Sequence, residues 1–478
     1  MTRLSDETPR LRRSGTAPAP GLLHMGPGAF FRAFLAPYTD EAMRLAGGDW
    51  GIIAVSLQST TARDQLVPQD CVYTALERGP DGDTTRRISA ITELMVAPED
   101  PAAVVASLAN PAIKILSLTV TEKGYCRDPQ TGDLLRDHPD IRHDLANLDR
   151  PRSAIGFIVA GLKARHDRDL PPFTILTCDN LPANGRMVCR VVTAFAREID
   201  PALANWIETH VAFPSTMVDR ITPATTRQDV ATLADSAGYL DMAAVVHEPF
   251  RQWVIETNFT AGHPDWGAAG AQFVSNVESH ELMKLRCLNG THSALAYLGY
   301  LAGHETISDT VADQPFEEFC ARLWRDEILP TLETPEGEDL PRYCQSLMAR
   351  YRNPAIRHRT WQIAMDGSQK LPQRILGTIK DRLATSVVPY GLCLVVAGWI
   401  RYVSGQDETG APIDVRDPLA AALKDATQTE DPVGAILAMD SIFEPKLTAQ
   451  PEFAEAVRAA YATLCRDGSR ASVAAFIS

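Results

Sequence analysis

The stretch that most restricts what this chain can fold into is its first apolar run, together with the glycine turn and amphipathic segment behind it. Gly21-Leu22-Leu23-His24-Met25 closes on Gly26-Pro27-Gly28, and an amphipathic segment extends from Phe30 to Leu45. A second apolar run, rich in Ile and Val, covers Trp50 to Leu57. Strand, glycine turn, helix and second strand in that order make a βαβ unit. A strand ending in Gly-x-Gly lets bare backbone amides and a helix N-terminus approach a pyrophosphate. Gly26, Gly28, Ala29, Phe30 and Arg32 are therefore candidate cofactor contacts. The third glycine of the full dinucleotide fingerprint is absent, with Phe31 in its place. A plain strand-to-helix turn fits the same residues.

Two more buried-strand candidates are Ile113 to Thr121 and Phe173 to Cys178. Their polar tails, Glu122-Lys123-Gly124 and Asp179-Asn180, lie where parallel sheets collect ligands. Thr121 and Glu122 join the cofactor candidates on that ground. At 478 residues the chain exceeds the size at which one core stops growing, so two domains are expected. Near residue 280 strand-like runs give way to helical spacing, at Glu281 to Ala302, Pro315 to Leu329, Leu340 to Tyr351 and Val387 to Ser404. The expected class is α/β, with a Rossmann-type dinucleotide-binding domain over 1–280 and a mostly α-helical domain over 281–478. The first twenty residues, polar and Pro-rich, are expected to form a loosely held arm.

Charge and cysteine usage narrow the partners. A net charge of −14 speaks against nucleic acid or an anionic membrane as the main partner. A small anionic substrate remains open, because a few local arginines suffice to bind one. Nine scattered cysteines with no CxxC pair read as reduced thiols, and no structural zinc is expected. The N-terminus lacks the apolar stretch of a signal peptide, and the longest apolar run, around Tyr390 to Ile400, is too short to span a bilayer. A soluble, cytoplasmic protein, monomeric or a small homo-oligomer, is the expectation.

The chemistry is concentrated in Glu281-Leu-Met-Lys284-Leu-Arg-Cys-Leu-Asn289-Gly-Thr-His292. On a helix of ~100° per residue, Lys284, Asn289 and His292 fall within one arc of roughly 140°. A lysine desolvated among Leu and Met neighbours is biased toward its neutral amine. It could then take an alcohol proton as hydride leaves carbon, while Asn289 hydrogen-bonds the developing alkoxide. An ordinary surface lysine and a satisfied core histidine are the plain alternatives. Thr177 to Gly185 reads as a turn closing a strand, from which Asn180 could supply a second alkoxide donor. Ile356 to Arg374 carries Arg357, His358, Arg359, Lys370 and Arg374. It is either a solvated basic face or a cradle for a polyhydroxy carboxylate, since arginine grips carboxylate with two prongs.

Together these segments resemble the polyol-specific long-chain dehydrogenases, the mannitol dehydrogenase family, from Leu22 to about Arg466. The family's Lys-x4-Asn-x2-His signature matches Lys284, Asn289 and His292. The resemblance implies Lys284 as general base, Asn289 and Asn180 as alkoxide stabilisers and His292 as a substrate-placing group. It also implies Asp219, in Val218-Asp219-Arg220-Ile221, and Lys370 at the substrate, with Glu281 assisting proton exchange. The implied cofactor is NAD. NADP stays open, because Leu57 to Arg63 contains no ribose-binding acid and Arg63 could meet a 2′-phosphate. The segments 120–126, 247–256, 283–301 and 357–374 look like the branch interconverting D-mannonate and D-fructuronate. Arg286, Arg357 and Arg359 would then serve the carboxylate. A mannitol-type enzyme acting on a neutral polyol is the alternative, and a catalytically lapsed binding protein is the non-enzymatic one. Eleven histidines without HxH or HExxH spacing argue against a metal-dependent rival. Phe34 stands where the family has a histidine.

Overall fold

The computed structural model describes residues 8–128 and 131–478. The chain divides into two compact units, 1–278 and 279–478. The first unit is built on a five-stranded parallel sheet. Its strands lie in the order Ile91–Val96, Gly51–Ser56, Pro20–Met25, Ile115–Leu118, Thr174–Thr177. Apart from Pro20 at the start of the central strand and Thr92, Glu93 and Met95 of the edge strand Ile91–Val96, these segments are buried, as expected of strands covered on both faces.

Alternation along the strands divides the core in two. Leu23, Met25, Ile53, Val55, Leu116 and Leu118 face helices Ala154–His166 and Asn184–Ile199. Leu22, Ile52, Ala54 and Ile115 face the other layer, which holds Phe31, Phe34, Leu35, Trp253 and Trp266. The chain leaves the central strand for one side of the sheet and later returns to the opposite side at Ile115–Leu118. That reversal opens a crevice at the carboxyl ends of these two strands, where doubly wound folds hold ligands.

Two small sheets, not evident in the sequence, complete the first unit. One joins Gln272–Val274, Gln252–Glu256 and Thr216–Asp219; the other joins Gly82–Ile88, Tyr73–Gly79 and Val245–His247. The expectation of a loose N-terminal arm is corrected for its described part. Leu11 is buried and its N–H donates to the Leu240 carbonyl at 3.0 Å, while Arg13 donates to the Ser89 carbonyl at 2.7 Å. A buried leucine and a tethered arginine anchor a segment that composition alone reads as free.

The second unit is helical throughout its described residues. Helices Thr291–Leu301 and Tyr390–Val403 form its centre, each buried at nearly every position. The helical stretch expected from Glu281 is interrupted: Glu278–Met283 is α-helical, Lys284–Gly290 is a π-helix, and α-helix resumes at Thr291. A second π segment, Pro372–Leu376, packs against the first. No helix among the described residues is long and apolar enough to cross a membrane.

Gly26 is fixed by the sheet itself. Its φ is +95°, and a Cβ there would stand 2.2 Å from the Thr119 carbonyl oxygen of the neighbouring strand end. Both the left-handed conformation and the contact exclude any side chain. Gly26→Ala is expected to lower stability by about 1–3 kcal/mol or more, measured by urea unfolding; an unchanged midpoint would show that the turn can relax.

Candidate active site

In the first unit, the glycine turn is organised by His24. Nε2 approaches the Gly26 carbonyl at 3.2 Å and Thr119 Oγ1 at 3.0 Å, and Nδ1 meets Ser117 Oγ at 2.8 Å. A carbonyl only accepts, so Nε2 carries the hydrogen and Nδ1 accepts from Ser117. Burial holds this imidazole neutral, with its pKa pushed down to about 3 against the raising effect of the Gly26 bond. Phe31 stacks flat on it, with centroids 3.6 Å apart and planes at 9°. The aromatic residue at the fingerprint's third position is thus the partner of a histidine inside the central strand. Phe34 packs against Phe30, Tyr38 and Trp253, a wholly aromatic setting.

Several observations fit this turn to a pyrophosphate. Gly28 is exposed, and a Cβ there would meet only the Gly26 carbonyl oxygen, at 3.9 Å. Arg32 is buried, with its pKa lowered chiefly by that burial, and its Nε has no hydrogen-bond partner among the described residues. Ala29 and Phe30 are half-buried beside it. Beyond strands Gly51–Ser56 and Ile91–Val96 lies a cavity of about 680 Å³, lined by Leu57, Gln58, Ala97, Pro98, His143 and Arg152 among others. Its size suits a nucleoside. Arg63 is already engaged, at 2.6 Å from Glu99 and 2.9 Å from Asp64.

The neighbouring strand ends are held by Asp179, which the sequence placed only in a ligand-collecting tail, and by Asn184, to which it gave no role. The Asp179 carboxylate accepts from the N–H groups of Val120 (2.9 Å) and Thr121 (3.0 Å) and from the Tyr125 hydroxyl (2.6 Å). This fixes Thr121, whose φ is +65°. Asn184 is fully buried and clamps both backbone groups of Thr216, at 2.9 Å each. The turn so anchored leaves Asn180 exposed, and Asp219 lies buried at the end of its strand. Glu122 is exposed and pairs with Arg127 at 2.6 Å. A conspicuous Asp-Asn pair and a further Asn in one turn were the available signals.

In the second unit, Lys284 and His292 are buried, and Glu281 and Asn289 are half-buried. The π-helix matters here. Its i→i+5 hydrogen bonding brings residues five apart, rather than four, one above the other. Lys284 and Asn289 are five apart. His292 lies 4.8 Å from the Tyr351 ring and edge-on to His358 at 5.0 Å. Burial holds both imidazoles neutral, His292 well below the usual range and His358 at about 4, with Arg350 and Arg374 adding to the effect. Lys370 donates to the carbonyls of Met365 (2.6 Å) and Ile363 (3.3 Å), and burial lowers its pKa to about 8.

The arginines suggested for a carboxylate already have partners within the protein. Arg357 and Arg359 are exposed and pair with Glu305 at 3.3 and 3.6 Å, so they form a solvated face. Arg286 is buried but committed to Thr331 and to Asp381, at 2.7 and 2.6 Å. The sequence showed the charge of all three but not their direction, nor that Arg357 and Arg359 lie in the loop between helices Leu340–Tyr351 and Thr360–Ala364. No cluster of three or more metal-ligating side chains occurs among the described residues.

Comparison with known proteins places this geometry. Residues 20–268 match the mannitol dehydrogenase Rossmann domain, and residues 276–465 match the mannitol dehydrogenase C-terminal domain. The chain belongs to the mannitol dehydrogenase family. It is 46% identical to the D-mannonate oxidoreductase of Escherichia coli K12 over 95% of each chain. A mannitol 2-dehydrogenase from Pseudomonas fluorescens, solved as a ternary complex with NAD and D-mannitol, is 36% identical with a TM-score of 0.86 over 98% of this chain and 97% of the other. A D-sorbitol dehydrogenase solved in substrate-free form is 31% identical with a TM-score of 0.89, over 96% and 95%. Family members are NAD-dependent oxidoreductases that act on secondary alcohols.

The neutral buried histidines make acid lability testable. His24 has a folded-state pKa near 3 and an ordinary unfolded one near 6.5. Between those values the unfolded chain binds the extra proton, so stability falls as pH drops through this window. His24→Gln is expected to reduce that slope by up to about 1.4 kcal/mol per pH unit, read from urea unfolding at pH 6.5 and 5. An unaltered slope would mean that His24 is not held neutral.

Proposed function

We propose that this protein reversibly interconverts D-mannonate and D-fructuronate, moving hydride between the sugar acid and NAD. The observation that carries the reaction class is the buried Lys284 on a π turn that brings Asn289 onto its face, with His292 one short step beyond. The sugar-acid assignment is supported by the 46% identity with a D-mannonate oxidoreductase. A neutral ketose and polyol pair is the second reading, supported by the likeness to the Pseudomonas mannitol 2-dehydrogenase.

The 1–280 region is read as the cofactor domain and 281–478 as the catalytic one. Gly26, Gly28, Ala29, Phe30 and Arg32 would hold the pyrophosphate, with Thr121 and Glu122 beside them. When bound, NAD supplies the hydride acceptor or donor. NAD is preferred over NADP because Arg63, the cation that could meet a 2′-phosphate, is matched by two carboxylates. Lys284 takes the hydroxyl proton on oxidation and returns it on reduction, with Glu281 relaying it toward solvent. Asn289 and Asn180 donate hydrogen bonds to the substrate oxygen as charge develops there. His292, Asp219 and Lys370 orient the remaining hydroxyls. His292, held neutral, does this without adding a charge.

Lys284→Ala is expected to reduce turnover by about 10²–10⁴-fold while NADH still binds, measured by NADH fluorescence and by steady-state assay; near-normal turnover would remove Lys284 from the mechanism. NADH oxidation with D-fructuronate and D-fructose in parallel tests the substrate. A preference for fructose would overturn the sugar-acid reading and leave the Lys284 chemistry standing.

A further inference from the structure

Lys370 and Arg374 stand apart from the cations around them. They lie four residues apart along one helical run, and among the described residues neither makes an ion pair. Lys370 is anchored on two main-chain carbonyls. Arg374 is anchored through a single nitrogen: Nη1 reaches Ser293 Oγ at 3.2 Å and the Asn289 carbonyl at 3.5 Å. Its Nε and Nη2 edge has no hydrogen-bond partner among the described residues.

Charge makes this arrangement unusual. A guanidinium does not shed its proton, so burying one without a carboxylate carries a standing electrostatic penalty. Burial lowers the pKa of Arg374, and the opposing groups are the phenols of Tyr297 and Tyr351 rather than any acid. The imidazoles of His292 and His358 stay neutral and so add no further positive charge, but they supply no negative one either. Asp366 and Asp417 act on Lys370, but Asp417 is occupied by the Ser368 hydroxyl and N–H, at 2.6 and 2.8 Å. The position of Arg374 is also tightly set. A Cβ on Gly290 would stand 3.0 Å from the Arg374 carbonyl oxygen, so the two π segments pack backbone to backbone. The turn that carries Lys284 and Asn289 therefore also locates Arg374.

We propose that Arg374 is the specificity-determining residue for a sugar acid, gripping the substrate carboxylate through Nε and Nη2 while Nη1 stays on Ser293 and Asn289. The uncommitted edge has the fork geometry that matches two carboxylate oxygens with parallel hydrogen bonds. Lys370 supplies a second positive charge to the same neighbourhood. A neutral ketose would leave the guanidinium unmatched, and a site built around a paired group discriminates strongly against an analogue lacking it. The inference rests on the sugar-acid reading, and it replaces Arg357 and Arg359 in the carboxylate role.

The test is the ratio of kcat/KM for D-fructuronate to that for D-fructose, in the full chain with NADH. Wild type preferring fructuronate upholds the sugar-acid reading; equal use of both overturns that reading and the clamp with it. Given the preference, Arg374→Leu is expected to lower the ratio by about 10²–10⁴-fold, mainly through KM for fructuronate. A ratio unchanged in a folded Arg374→Leu protein overturns the clamp alone and leaves the substrate intact. If the leucine variant does not fold, Arg374→Lys decides: it keeps the charge but not the fork, and a fall of at least about tenfold in the ratio is expected. Equal losses on both substrates would assign Arg374 to general packing instead.

Discussion

One extra residue wound into the helix between Lys284 and Gly290 governs the polar arrangement of the second unit. A continuous α-helix would stack Lys284 over Leu288 and leave Asn289 displaced around the cylinder. The π turn exchanges that for a lysine and an amide on one face, and it sets Gly290 against the backbone of Arg374. Such wide turns are rare and occur mostly as single insertions within α-helices, often at functional sites. Here the insertion is held by flanking buried helix on one side and a second π segment on the other. The backbone that carries Lys284 and Asn289 is thus held by close packing against a second wide turn.

The first unit reaches a comparable result by different means. Its turn is fixed by a neutral histidine threaded into the central strand, and its flanking loops by the Asp179 carboxylate, which gathers two main-chain N–H groups and a phenol. Burial raises the pKa of Asp179 while those three bonds lower it. The loops at the carboxyl edge are therefore tied to the sheet by a buried histidine and a half-buried carboxylate that satisfies several groups at once.

Much of this was legible in the residues. The runs at Leu22, Ile52, Ile115 and Thr174 marked the sheet strands because buried parallel strands are apolar throughout, whereas spacing alone left Lys284, Asn289 and His292 open between a reactive set and ordinary helix residues, and only the family resemblance gave them roles. What stayed hidden depended on contacts distant in sequence. The strand Ile91–Val96 carries the polar pair Thr92-Glu93, which reads as a surface segment, because it lies at an edge of the sheet. One small sheet pairs Tyr73–Gly79 with Val245–His247, far away along the chain. Periodicity also treats the Glu281 helix as regular, so the π turn is invisible to it. For Arg357, Arg359 and Arg286, charge was readable and direction was not: each met a partner that only the fold supplies.

The stack of Phe31 on His24 has a consequence for inheritance and engineering. The two positions form a single module, because shrinking the aromatic ring to glycine would open a void against the imidazole, and replacing the imidazole would remove the group that ties the glycine turn to Ser117 and Thr119. A graft of a three-glycine turn into this domain would have to exchange both positions together. Sequences drifting between the two solutions would meet an intermediate poorer than either end, which tends to keep the aromatic form locked into a lineage once it is acquired.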